Sequence, residues 1–247
     1  MKVSIVTACF NSEKTIEKTL LSIDQQSWED IQHIIVDGAS KDATVDIIRK
    51  HSHARRQWIS EPDQGVYDAM NKGLRLVTGD IVAFLNADDV YKSNTLIERV
   101  VRIFAAEPIE ALYGNVEFFD AVDPDGVVRT YDSSRFSPDK LSSGWMPAHP
   151  SLFLRRSVFD RHGGYDPKYR IAGDFDLIAR IFMQPGFRFK YCNEVFVRMQ
   201  TGGLSSAGLA ATVGLNREMM RACRVNGLQT NWPKLLFRYV YKIKEFF

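Results

Sequence analysis

Asp88 and Asp89 stand side by side at the end of an apolar run, Asp80 to Leu85, in a chain of 247 residues. Two adjacent carboxylates near one ligand are costly unless a cation or hydrogen-bond donors neutralise them. A divalent ion, Mg2+ or Mn2+, bridging to a diphosphate would do so, because these ions take oxygen ligands and commonly bind one or two carboxylates plus phosphate. A plain helix cap explains the pair equally simply, since Ser93-Asn94 and a helical segment follow soon after. Other polar groups fall in the same register. Cys9-Phe10-Asn11, Asp37-Gly38 and Glu61-Pro62-Asp63 each follow a short apolar run, as Asn86 to Asp89 does. Any one of these suits a turn. Four at the carboxyl ends of parallel strands would aim into one crevice, where open α/β sheets bind ligands.

The elements that must position them alternate in period. Val3 to Ala8, Ile31 to Val36, Gln57 to Ser60 and Asp80 to Leu85 read as strands. Between them, Ile16, Leu20 and Ile23 lie on one helical face after a cap at Asn11-Ser12, Asp42 to Lys50 is helical, and Tyr67 to Val77 carries Met70, Leu74 and Val77 on one side. Strand and helix in alternation predict a parallel sheet of βαβ units. The second half is less regular. Leu112 to Asp120 and Gly126 to Tyr131 are strands about the turn Asp123 to Gly126, Ser133 to Pro147 is a loop, and Arg156 to Arg161 is a short helix closed by Gly163-Gly164. Asp174 opens a further helix, and Phe187 to Met199 is extended.

Composition narrows the classes. Lys and Arg number 32 against 30 Asp and Glu, a net charge of +2, which argues against a nucleic-acid binder and for no nucleic-acid partner. Cys9, Cys192 and Cys223 form no C-x-x-C pair, so neither a disulfide framework nor a zinc ribbon is expected. Dinucleotide, P-loop, nucleophile-elbow and H-E-x-x-H motifs are absent. No run of about 18 apolar residues occurs and no signal peptide is read, so the expected setting is cytoplasmic.

The runs SIVTACFNSEKTIEKTLLSI, IIVDGASKDATVDII and SEPDQGVYDAMNKGLRLVTGDIVAFLNADD resemble the family 2 glycosyltransferases, in particular bacterial non-processive members that build cell-surface polysaccharide and exopolysaccharide units. The resemblance spans residues 3 to 205. It implies the α/β GT-A fold for nucleotide-diphospho-sugar transfer, a mostly parallel sheet flanked by helices, with a C-terminal helical appendage from residue 206. It also implies a metal-dependent, inverting hexosyl transfer from a UDP-sugar to a glycan or lipid-linked acceptor.

On the matching positions, Thr7, Ala8, Phe10 and Asn11 would border the base and ribose. Asp37 would accept from a uracil-type N–H, and Asp63, with Gly65 in the same E-P-D-Q-G run, would sit beside the base. Asn86 and Ala87 begin the D-x-D position. Asn86 stands where many members have Asp, so the metal falls on Asp88. Asp174 would be the general base, with Gly173 in place of the usual Glu; a helix N-cap remains the simpler role for that residue. His149, Asp176 and Gly203 are candidates for acceptor or diphosphate contact, His149 equally a packed loop histidine. The Q-x-x-R-W signature of processive synthases is absent, which implies transfer of a single sugar.

Two rivals follow from the same residues. The Asn86 and Gly173 departures would suit a catalytically lapsed nucleotide-sugar-binding or scaffolding protein. A nucleotidyltransferase would need a glycine-rich basic loop where TACFNSEKT stands. At the C-terminus, residues 232–247 read as an amphipathic helix. Leu236, Tyr239, Val240, Ile243 and Phe247 fall on one face and Lys234, Arg238 and Glu245 opposite, a pattern that suits a membrane surface, an oligomer interface or a lid.

Overall fold

A computed structural model describes residues 1–202 and 209–242. The first half is the alternation expected: β1 (Val3–Cys9), α1 (Ile16–Asp24), β2 (Ile31–Asp37), α2 (Thr44–Lys50), β3 (Arg56–Ser60), α3 (Val66–Leu74) and β4 (Ile81–Phe84). Then come β5 (Asp89–Tyr91), α4 (Leu96–Ala106), β6 (Ala111–Phe119), β7 (Arg129–Tyr131) and β8 (Phe153–Arg155). The chain continues through α5 (Arg156–His162), α6 (Gly173–Phe182), β9 (Phe189–Gln200), α7 (Leu209–Val225) and α8 (Trp232–Lys242). Among the described residues nine strands form one sheet, ordered β3-β2-β1-β4-β8-β6-β9-β5, with β7 paired to β6.

β3, β2, β1 and β4 are mutually parallel, and β6 pairs parallel with β9; β8, β7 and β5 join antiparallel. The strands of the parallel block are apolar nearly throughout because both faces are covered. Val6 and Ala8 face a core shared with Tyr67, Met70, Ile178 and Met219, whereas Val3 and Ile5 face one shared with Leu96, Val100 and Phe104. Each such buried Val, Ile, Leu or Met side chain stabilises the fold by about 1.5–3 kcal/mol.

Two details differ from the sequence-based reading. Asn11 and Ser12 do not cap α1, which starts at Ile16 after Thr15 with no side-chain cap. Asn11 instead takes φ 49° and stitches two loops together. Its N–H donates to Ser40 Oγ at 2.8 Å, and its Oδ1 accepts from Lys41 N at 2.9 Å.

The helix α8 is also turned from the expected face. Leu235 and Arg238 point inward, while Trp232, Leu236 and Phe237 are exposed. Arg238 is drawn in because its guanidinium finds acceptors there, the Gly144 carbonyl at 3.2 Å and Asn216 Oδ1 at 3.1 Å. Gly144 has φ 78°, and a Cβ there would lie 2.7 Å from Arg238 Nη1. The side chain of Val240, and Ile243, Glu245 and Phe247, lie outside the described residues, as does Gly203. No described helix is long and apolar enough to cross a membrane.

Helix α3 presses on β1 through a glycine. A Cβ at Gly73 would lie 2.4 Å from Val6 Cγ1. Gly73→Ala is therefore expected to destabilise the protein by about 1–3 kcal/mol through overpacking, despite the better helix propensity of alanine. In urea denaturation, Val6→Ala should rescue Gly73→Ala in a double-mutant cycle; strictly additive losses would exclude the contact as the cause.

Candidate active site

The open edge of the parallel block is where the polar residues gather. Cys9 pairs with Asp37 and Asp37 with Ser60, so three strand ends lie flush. Asp37 is fully buried, and its carboxylate accepts from Ser60 Oγ at 2.6 Å, Ser40 N at 3.0 Å, the Ser40 hydroxyl, and the Cys9 thiol at 3.7 Å. Burial and the Asp37 charge push the Cys9 thiol far up, so it stays protonated as a donor. Above this floor Phe10, Gly38 and Asp63 meet. A Cβ at Gly38 would lie 2.5 Å from Asp63 Oδ2 and 3.3 Å from the Phe10 ring. Phe10 is 59 % exposed, an aromatic face left open at the strand ends. Asp63 Oδ1 accepts from Gly65 N at 2.8 Å, and Gly65 takes φ 119° as the residue before α3, a conformation that favours glycine.

Thr7 and Ala8 do not reach this rim with their side chains. Ala8 packs in the core, and Thr7 Oγ1 pairs with His33 Nε2 at 3.0 Å. Arg56 Nε donates to His33 Nδ1 at 3.1 Å, which puts the imidazole proton on Nε2, facing Thr7. Burial first, then the Arg56 charge, lowers the His33 pKa well below its ordinary value and keeps the ring neutral.

The turn after β4 carries the second group. Asn86 Nδ2 donates to Asp89 Oδ2 at 3.1 Å, while Asp89 Oδ1 is buried without a hydrogen-bond partner. Burial raises the Asp89 pKa well above its ordinary value, the Asp88 charge raises it further, and Asn86 opposes. Burial likewise raises Asp88, which is half-buried. Ala87 is buried beside Cys9 and Leu20. The described residues hold no group of three or more His, Cys, Asp or Glu able to bind a metal, so a cation here would need ligand oxygens besides these carboxylates.

The third group surrounds Asp174, in the first turn of α6. Its Oδ1 accepts from Phe175 N at 2.8 Å and lies 3.2 Å from Tyr67 Oη, while its Oδ2 has no hydrogen bond among the described residues. Burial raises the Asp174 pKa, opposed by His149, the Phe175 N–H and Tyr67. His149 is buried and donates to or accepts from Tyr165 Oη at 2.7 Å; its pKa is lowered by burial against the opposing pull of Asp174. Phe84, the last residue of β4, packs against His149 at 5.8 Å and edge-on to Tyr165 at 5.1 Å. The Asn86–Asp89 turn and the Asp174 cluster are thus joined through one aromatic residue, Phe84, two residues before Asn86. Gly173 has a physical reason here: a Cβ would lie 2.8 Å from the Tyr67 ring. Asp176 turns away from this cluster, buried and bound by Asn226 Nδ2 at 3.0 Å and Arg180 at 3.4 Å.

Residues 4–163 match the family described as Glycosyl transferase family 2. The chain belongs to that family. This glycosyltransferase is 30 % identical over 251 residues to a PGL/p-HBAD biosynthesis glycosyltransferase of Mycobacterium bovis, covering 95 % of this chain and 92 % of the relative. It is 31 % identical over 219 residues to an uncharacterized glycosyltransferase of Mycobacterium tuberculosis, covering 87 % and 78 %. Among solved structures, S. aureus TarS 1-349 in complex with UDP-GlcNAc superposes with TM-score 0.74 at 17 % identity, over 94 % of this chain and 68 % of that one. The mannosyltransferase PcManGT of Pyrobaculum calidifontis, in complex with GDP-Man and Mn2+, superposes with TM-score 0.60 at 16 % identity, over 100 % and 81 %. The fold of the glycosyltransferase is accordingly GT-A, with its mixed sheet flanked by helices.

Sequence reasoning missed Tyr67, Tyr165 and Glu218. Tyr67 lies within the run from Glu61 to Asp89 that carried the resemblance, but its spacing reads only as a helix start. Glu218, on α7, lies beyond residue 163 and carries no motif. Its carboxylate accepts from Arg170 N at 3.0 Å and from Ile171 N and Ala172 N, both at 2.8 Å, and so pins the turn that delivers Asp174. Arg221, one turn on, lies over the Tyr169 ring at 4.8 Å. Hydrogen bonds to a charged group contribute about 1.5–3 kcal/mol. Glu218→Ala should lower stability by an amount in that range in chemical denaturation, with Glu218→Gln recovering part of it. An unchanged midpoint in Glu218→Ala would refute the anchoring role.

Proposed function

We propose that this glycosyltransferase transfers one sugar from a nucleoside-diphosphate sugar, a UDP-sugar, to a hydroxyl of a glycan or lipid-linked acceptor in cell-surface polysaccharide synthesis, with inversion at the anomeric carbon. The observation that carries the reading is the Asp174 carboxylate, with one oxygen held by Phe175 N and Tyr67 and the other without a hydrogen bond among the described residues. Its raised pKa suits proton acceptance. The acceptor oxygen forms a bond to C1 as the C1–phosphate oxygen bond breaks, and the hydroxyl proton passes to Asp174 Oδ2. The nucleoside diphosphate leaves. Phe10, Asn11, Asp63 and Gly65 rim the edge at which the base and ribose would lie, with Asp37 as its buried floor. Relatives that bind UDP-GlcNAc and GDP-Man support a nucleotide-sugar donor.

Asp88, with Asp89 behind it, would hold a divalent ion, Mn2+ or Mg2+. The burial of Asp89 with its orphaned Oδ1, beside the half-buried Asp88 carboxylate, fits a cation. When bound, such an ion supplies charge neutralisation for the departing diphosphate. The two family departures are accommodated in this chain, Asn86 by its bond to Asp89 and Gly173 by the Tyr67 ring, which favours activity over a lapsed binding protein. His149, buried against Tyr165 and Phe84, would shape the acceptor side.

We also propose that residues 1–205 form the catalytic unit, and that 206–247 anchor it and present the outward face of α8 to the inner surface of the cytoplasmic membrane. Trp232, Leu236 and Phe237 are exposed there beside Lys234.

A screen of nucleotide sugars with Mn2+ or Mg2+, using membrane lipid extract as acceptor, tests the reading; no transfer from any donor would sink it. Asp174→Asn is expected to retain nucleotide binding by calorimetry and to lose about 10²–10⁴-fold in transfer rate. Equal loss of binding would make Asp174 a structural cap. Leu236→Asp with Phe237→Asp should reduce co-sedimentation with phosphatidylglycerol vesicles while leaving the melting temperature in place. Undiminished co-sedimentation would exclude α8 as the membrane contact.

A further inference from the structure

One phenol proton has two acceptors within reach beside the base. Tyr67 Oη lies 2.6 Å from the Ile171 carbonyl oxygen and 3.2 Å from Asp174 Oδ1. A tyrosine hydroxyl donates a single hydrogen bond at a time. Both acceptors belong to the same short turn, so rotation about the Cζ–Oη bond alone moves the proton between them. The ring that carries this hydroxyl is fixed. Tyr67 is buried and stacked on Tyr165 at 5.5 Å, and its ring occupies the space that any side chain at position 173 would need.

We propose that Tyr67 is a positioning residue for the base, its hydroxyl donating to Asp174 Oδ1 while that carboxylate is ionised and turning to the Ile171 carbonyl when it becomes protonated. The proposal rests on Asp174 being the base. In the ionised state a charge-assisted hydrogen bond from Tyr67 and the Phe175 N–H hold Oδ1, which leaves Oδ2 to face the acceptor. When the acceptor's proton arrives on Oδ2, the carboxyl becomes neutral and Oδ1 a weaker acceptor, and the carbonyl 2.6 Å away takes the phenol proton. No O–H bond of Tyr67 breaks in this exchange. Burial, and then the Asp174 charge, keeps the Tyr67 hydroxyl protonated, its pKa well above the ordinary value. The titratable groups facing Asp174 are Tyr67 on α3, His149 in the turn before β8 and Tyr165 in the loop before α6. On α6 itself, Asp176 and Arg180 are bound to each other.

The sign of the effect follows. A base works only when ionised, so turnover falls as pH drops through its pKa. Burial raises that pKa and the Tyr67 hydrogen bond lowers it. Removing the hydroxyl therefore displaces the acid limb to higher pH. The test is the pH profile of kcat for wild type and Tyr67→Phe at saturating donor, with UDP binding measured by calorimetry. Expected in Tyr67→Phe is a loss of about two- to tenfold on the acid side, shrinking toward the alkaline plateau, with UDP affinity unchanged. Gly173→Ala, whose methyl would press on the Tyr67 ring, should displace the limb in the same direction. A uniform loss across pH with the limb unmoved would reduce Tyr67 to packing and overturn the proposal. Asp174→Asn separates the two levels. Full transfer in that variant removes the base assignment itself, whereas an inactive Asp174→Asn beside an unmoved Tyr67→Phe limb defeats the Tyr67 role alone.

Discussion

The register of β1 against β2, from Val3 opposite Ile31 to Cys9 opposite Asp37, determines where the chemistry of this protein can be. Side chains alternate along a strand, so this pairing sends Val3 and Ile5 to one core and Val6 and Ala8 to the other. It also ends the strands flush, so the residues that follow them emerge along one edge. A slip of one residue between them would turn the apolar side chains of one strand to the wrong face and would part Asp37 from Cys9. The buried chain Thr7–His33–Arg56 crosses the same strands and adds a polar lock to the apolar one.

That edge collects carboxylates, and each is handled differently. Asp37 is closed over by Ser40 and Ser60 hydroxyls, which satisfy it locally. Asp174 has a backbone N–H and a phenol on one oxygen, which hold its direction, and its other oxygen has no hydrogen bond among the described residues. At Asp88 and Asp89 the only side-chain donor among the described residues is the Asn86 amide, and one buried oxygen has none. Burying a carboxylate without a partner is expensive. The fold concentrates its unmet electrostatic need at the turn after β4, which is the chemical ground for the cation proposed there.

The sequence revealed what periodicity and strand-end position can carry. The four parallel strands, the helices between them, the edge formed by Phe10, Asp37, Asp63 and Asn86–Asp89, and the helix that Asp174 opens were all readable. Thr7 was not readable as a buried partner of His33, because position 33 looks like any strand position until β1 and β2 pair. Asn11 looked like a helix cap because capping and loop stitching favour the same residue type. The orientation of α8 depended on a guanidinium preferring buried acceptors, which a hydrophobic pattern scores as a polar face turned outward. Glu218 was invisible because its partners are backbone N–H groups more than forty residues earlier.

These misses share a cause, and it bears on how the enzyme is built. The edge proposed to take the donor is made by neighbouring strands, so its residues follow one another in short motifs. The proposed base is held by long-range contacts. Asp174 sits eleven residues beyond the end of the family match and is held from α3 by Tyr67 and, through the turn before it, from α7 by Glu218. Asn71 adds a further tie, its side chain bonding both the N–H and the carbonyl of Tyr165. The helix α3 therefore serves both halves: its glycine packs on β1 beneath the strand-end edge, while its tyrosine and asparagine fix the loop and turn that lead to Asp174. A shift of α3 relative to β1 would move Asp174 relative to the strand-end edge. The close Gly73–Val6 approach, which opposes such a shift, thus bears on the geometry of the proposed site as much as on the core.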